Sequence, residues 1–148
     1  MQERQVVKVD GTTSDVASPA VKAGGLIFVS ALTGTGADGK VVGPDIESQT
    51  KKVIERLKSI LEAAGSSLAQ AVSVHVYLKR ASDFEALNGV YRQTFVDKPP
   101  VRTTVVTDLG PDKLIAISAI AVENGAPREM FLGDEHGRRF SLPARRTV

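Results

Sequence analysis

The sequence predicts a single α+β domain with two helices packed on one face of a mixed β-sheet. Three features carry that expectation. Residues 45–64 and 82–95 repeat their apolar positions every three or four residues, as one-sided helices do. Residues 26–32, 71–79, 101–106 and 114–122 are instead short apolar or alternating runs, as strands are. Each helix lies between two strands, and right-handed crossovers place both helices on the same side of the sheet. The 148 residues suit one domain, in which roughly 68–70% of the unfolded surface is buried without a disulfide or metal staple. Residues 1–125 are expected to form that domain, and 126–148 a basic extension that packs on a neighbour or stays mobile.

Taken in order, Gln5–Val9 reads as a short strand and Asp10–Ser18 as a loop. Gly24-Gly25 introduces Leu26–Leu32, a nearly continuous apolar run expected of a strand covered on both faces. Gly34-Thr-Gly-Ala-Asp-Gly39 matches G-x-G-x-x-G, but Lys40–Pro44 separates it from the helix that a dinucleotide site needs directly after the glycines. An exposed turn whose glycines supply positive φ is the better reading. Asp45 caps a helix that runs to about Ala64 and stops at Gly65, with Ile46, Thr50, Val53, Leu57, Ile60, Leu61 and Ala64 on its buried stripe. From Ala71 to Lys79, Val72, Val74, Val76 and Leu78 alternate with Ser73, His75, Tyr77 and Lys79, the pattern of a half-buried strand. His75 reads as exposed or subunit-facing rather than catalytic, because no G-x-S-x-G elbow accompanies it.

Ser82-Asp-Phe-Glu85 has capping-box form, and Phe84, Leu87, Asn88, Tyr91 and Phe95 line one face of the helix it opens. Asn88 is the unusual member of that stripe, since a buried amide must satisfy its hydrogen bonds. Pro99-Pro100 ends the segment, and Val101-Arg-Thr-Thr-Val-Val106 follows as a strand with Arg102, Thr104 and Val106 on one face. A guanidinium in a mostly apolar strand calls for an anion, which is either a structural carboxylate of the same chain or a ligand. After a turn at Gly110-Pro-Asp, Leu114–Val122 is small and apolar on both faces. The sheet face away from the helices carries Ser30, Ser73, His75, Thr104 and Ser118, and oligomerisation is expected to cover it.

Composition narrows the chemistry. With no cysteine, disulfides and thiolate metal sites are excluded, and two histidines (His75, His136) make a histidine-rich site improbable; no metal or cofactor is expected. The start has no apolar signal region and no run approaches the roughly 18 apolar residues of a membrane span, so a soluble, cytoplasmic protein without a membrane partner is expected. Residues 136–148 hold four arginines and no acid, while the 15 basic and 17 acidic residues of 1–135 leave a net −2. A basic tail without interleaved aromatic residues argues against nucleic acid as a partner.

Phe84-x-x-x-Asn88-x-x-Tyr91-x-x-x-Phe95, Pro100-Val-Arg102-Thr-Thr-Val, Leu109 and Ala119-Ile-Ala121 together resemble the RidA family, also known as YjgF or L-PSP. Gln49-Thr50, Ala63-Ala64-Gly65 and Ser30 add to the likeness, which spans about residues 18–125. The resemblance implies a chorismate-mutase-like fold, a homotrimer whose sheets form a central barrel, and clefts between subunits that take small carboxylates. In members of known chemistry those clefts hydrolyse enamines or imines derived from amino acids to 2-oxo acids and ammonia. Arg102 matches the arginine that grips the substrate carboxylate, and the backbone beside Thr104 the contact to nitrogen. Ser30 supplies a hydroxyl near the cleft and, with Arg102, makes up the catalytic set that the comparison implies. Tyr91, Ala31 and Ala116 stand beside the ligand. Three positions depart from the family: Ala116 replaces the glutamate that orders water in deaminating members, Ala20 replaces a tyrosine, and Ser30-Ala31-Leu32 replaces Ser-Gly-Gln.

Two functions are therefore expected, an enamine or imine deaminase and a carboxylate-binding protein without turnover. Ribonuclease chemistry, a name attached to some members, would need a histidine pair or a basic groove, and neither is visible in the sequence.

Overall fold

The computed structural model describes residues 3–9, 14–125, 131–133 and 139–141. Eight strands and two α-helices follow the order β1 (Gln5–Val7), β2 (Ala20–Ala23), β3 (Leu26–Thr33), α1 (Ile46–Ala63), β4 (Ala71–Leu78), α2 (Phe84–Thr94), β5 (Val101–Val106), β6 (Ile115–Val122), β7 (Phe131–Gly133) and β8 (Arg139–Ser141) among these residues. The main sheet has the order β1-β2-β3-β6-β4-β5, and β7 pairs with β8 separately. Only β4 and β5 pair in parallel. β6 lies antiparallel between β3 and β4, so α1 crosses over it to join two strands of like direction. No helix among the described residues is long and apolar enough to cross a membrane. Of the basic extension expected at 126–148, residues 126–130, 134–138 and 142–148 lie outside the described residues.

Helix α1 begins where expected. The Asp45 carboxylate accepts from the Ser48 N–H at 2.8 Å, and that bond holds its pKa below the usual carboxylate range. The helix ends in a Schellman arrangement: Ser66 N–H bonds to the Leu61 carbonyl (2.8 Å) and Gly65 N–H to the Glu62 carbonyl (3.1 Å), with Gly65 at φ +84°. Every residue of the expected stripe is buried, and Gln49 and Ile54 join it. Opposite them lie Ile27, Val29, Val74, Val76, Leu78, Ile115, Ile117, Ala119 and Ala121 of the sheet, which with Leu57, Leu61 and Leu87 form one core.

Gln49 joins three segments inside that core. Its Nε2 donates to the carbonyls of Gly43 (2.7 Å) and Asp112 (2.9 Å), and its Oε1 accepts from Leu114 N–H (2.8 Å). The helix comes so close to Gly34 at this point that a Cβ there would stand 2.7 Å from the Gln49 carbonyl oxygen. Glycine is thus required at 34 by close approach; of the three glycines in the motif only Gly39 has positive φ.

Several expectations are corrected. The sequence pattern assigns no element to β2; it forms a hairpin with β3 across Gly24-Gly25, whose φ values of +60° and +77° suit a primed turn. Within a single chain one face of β3 is covered and the other is open, with Phe28 41% exposed and Ser30 and Ala31 exposed. A register shift between Ala71 and Ser73 takes Val72 off the core face, leaving it 43% exposed. Thr104 sits opposite Val76 in the parallel ladder and so faces the helices rather than the open side. α2 starts after a 3₁₀ turn (Ala81–Asp83), with no Ser82 cap: Asp83 is its N-cap residue, and the carboxylate is held instead by Arg80.

Replacing Gln49 by Ala leaves the Leu114 N–H and two carbonyls without their partner in the interior. We expect a loss of about 2–4 kcal/mol, read as a lower urea midpoint at unchanged slope. A loss under about 0.5 kcal/mol would show that the amide does not join these segments.

Candidate functional site

Arg102 is the second residue of edge strand β5, opposite Val74 in the ladder, and it faces α2. Phe84 and Tyr91 are two helical turns apart on that helix, so their rings lie along one stripe. The guanidinium carbon sits 4.7 Å from the Tyr91 centroid and 5.6 Å from that of Phe84. Tyr91 in turn packs on Phe95 with centroids 4.6 Å apart. Cation–π contacts of this kind contribute about 0.5–2 kcal/mol each and hold the charge without neutralising it. Among the described residues no carboxylate forms an ion pair with Arg102. The structural-carboxylate alternative therefore finds no partner there.

Two hydroxyls on the helix-facing side of the sheet are left over. Tyr91 Oη and Thr104 Oγ1 are buried and have no hydrogen-bond partner among the described residues. Burial raises the Tyr91 pKa above 10, against the opposing charge of Arg102, so the phenol is neutral at physiological pH and remains a donor. Asn88, one turn before Tyr91, is buried on the same stripe. A fixed cation, a neutral phenol and a hydroxyl form a set suited to a small anion with further polar groups.

The remaining sequence-predicted residues lie elsewhere on the chain. Ser30 and Ala31 occupy the irregular stretch of β3, and Ser30 Oγ donates to the Ser18 carbonyl at 2.9 Å, which leaves its lone pairs to accept. A cavity of about 560 Å³ beside Ser30 is lined by Arg4, Ser14–Ser18, Val21 and Phe28. Ala116 is 4% exposed and pairs with Thr33 on one side and Tyr77 on the other. It alternates with the core residues Ile115 and Ile117, so it belongs to the sheet face away from the helices. Between β3 and β5 stand β6 and β4, a separation of roughly 14 Å at the usual strand spacing. One chain thus unites Arg102, Thr104 and Tyr91 and leaves Ser30, Ala31 and Ala116 apart. The ring cradle was the part missed: its residues were legible as a core stripe, and only the placement of β5 beside α2 turns them toward a cation.

The family model described as Endoribonuclease L-PSP matches residues 13–123. The chain belongs to the RidA/L-PSP family. A RutC family protein of Pyrococcus abyssi is 45% identical over 106 residues, covering 70% of this chain and 84% of the relative. A protein of Acinetobacter baylyi named 3-aminoacrylate deaminase RutC is 34% identical over 122 residues, 80% of this chain and 97% of its own length. Among solved structures, yeast Mmf1 superposes with a TM-score of 0.78 at 28% identity, covering 82% of this chain and all of that one. RidA membership accounts for the mixed sheet and paired helices, and the β7–β8 pair lies beyond the matched span. The described residues include one histidine, His75, exposed on the open face, and no group of three or more potential metal ligands.

If Thr104 Oγ1 is an orphan, Thr104→Val removes a desolvation cost and should raise stability by about 1 kcal/mol in urea unfolding of the ligand-free protein. A loss of similar size would mean that the hydroxyl is bonded and unavailable.

Proposed function

We propose that this RidA-family chain binds small carboxylates carrying an imine or enamine nitrogen, gripping the carboxylate with Arg102 in clefts between the subunits of a homotrimer. The observation that carries the reading is a half-buried guanidinium held by two rings, with no carboxylate of its own among the described residues. A planar fork meets a carboxylate through two parallel charge-assisted bonds. The main chain beside Thr104 faces the nitrogen end, and Tyr91 closes the site from α2. Ser30 and Ala31 of a neighbouring copy complete it, which the open face of β3 and its distance from β5 favour.

Turnover would add water across the C=N bond and expel ammonia, leaving a 2-oxo acid. With alanine at 116, β6 carries no carboxylate from Ile115 to Val122, so nothing on that strand activates water. This supports binding as the primary function. The second reading, deamination, is favoured by the 34% identity to the Acinetobacter protein named 3-aminoacrylate deaminase; it then rests on orientation, with Ser30 as the acceptor that positions water.

Calorimetry with 2-oxobutanoate as a stable product analogue tests the anchor: Arg102→Ala should weaken binding by about 10-fold or more while the sedimentation mass stays at three chains. Unchanged affinity, or a wild-type mass of one chain, would contradict the cleft. Ammonia release from freshly generated 2-iminopropanoate separates the two readings. Wild type no faster than buffer, with a gain in Ala116→Glu, supports binding alone; a clear wild-type acceleration establishes the deaminase.

A further inference from the structure

A second basic feature lies at the other end of β5. The loop before α1, the residue after β4 and the β5–β6 connection enclose a cleft of about 790 Å³, within the span of about 300–1,000 Å³ usual for small-molecule sites. Lys40, Lys79 and Lys113 line it, one from each segment. Only Lys79 has an acid partner among the described residues, Asp108 at 3.6 Å, and it also donates to the Gly110 carbonyl. Lys40 and Lys113 have none there, and Asp112 is the acidic residue in the lining.

The walls are fixed rather than loose. Pro44 stiffens one and Pro111 the other, and the buried Gln49 amide bonds to a carbonyl on each, Gly43 and Asp112. Lysines from three separate segments thus line one cleft, and Lys40 and Lys113 bring charge to it that no acid pairs with among the described residues. Their chemistry differs from that of Arg102. Ammonium groups are compact point charges that can meet the oxygens of a phosphate from several directions, whereas a guanidinium grips one carboxylate or phosphate edge through two parallel bonds. We propose that this cleft binds a small phosphate-bearing molecule through Lys40, Lys79 and Lys113, independently of Arg102.

Inorganic pyrophosphate, titrated calorimetrically into the full chain at low salt, is the probe. Saturable binding is expected, weakened by about tenfold or more in a Lys40→Gln/Lys113→Gln double variant and unchanged in Arg102→Ala. Asp112 stands at φ +65°, a conformation asparagine also tolerates, so Asp112→Asn should keep the fold and strengthen binding by removing the repelling charge. Thermal unfolding of the double variant at the wild-type midpoint confirms that its loss is local. Absence of saturable binding, equal affinity in the double variant, or loss confined to Arg102→Ala would overturn the proposal. So would a short oligoribonucleotide that binds more tightly than pyrophosphate, since it would make the surface a nucleic-acid contact.

Discussion

The buried amide of Gln49 is the constraint on which the placement of the other parts depends. An unpaired polar group in the interior costs about 1–3 kcal/mol, so all of its bonding capacity must be answered at once. The answers come from Gly43 in the loop before α1 and from Asp112 and Leu114 between β5 and β6. The first turn of α1 is thereby set over the sheet, and Gly34 can only be glycine because the helix backbone rests on it. The same bonds hold the start of β6, while the end of β5 is held by Thr107 N–H on the Leu78 carbonyl (2.8 Å). With both ends of the connection fixed, β5 keeps its parallel register on β4, and that register points Arg102 toward α2.

Arg102 shows how a cation is presented without being consumed. A buried carboxylate partner would neutralise it and leave no net attraction for a ligand. Aromatic faces stabilise the charge through their quadrupoles and fill no hydrogen-bond sites on the guanidinium. Phe84 keeps 40% of its surface exposed, so the ring that supports the guanidinium also marks the mouth of the site. The hydroxyls of Tyr91 and Thr104 find no partner, and Arg102 no carboxylate, among the described residues.

The fold was legible where one period ran long enough to be counted. The 18 residues of α1 and the part of β4 after its bulge were readable because each buries one regular stripe. Irregularity hid the rest. β2 has only four residues, too few to show a pattern. Val72 alternates correctly in sequence and is turned outward by a bulge. Thr104 was assigned to the open face because alternation within one strand says which residues share a side and leaves open which side that is. The phase is set by the neighbour, here Val76. Arg102 was visible as a lone charge among valines and threonines, but its cradle was not, since Phe84 and Tyr91 meet it through the pairing of separate elements.

Position 116 separates gripping a ligand from turning it over. The side chain there is 4% exposed between Thr33 and Tyr77, and a carboxylate so enclosed would lose hydration and call for a cation. Arg102 cannot serve, because it lies two strands away and faces the opposite side of the sheet. A glutamate at 116 would carry that demand without Arg102 to meet it. Alanine removes that demand and packs without a polar group to satisfy. The proposed carboxylate grip, built from β5 and α2, does not depend on an acid at position 116.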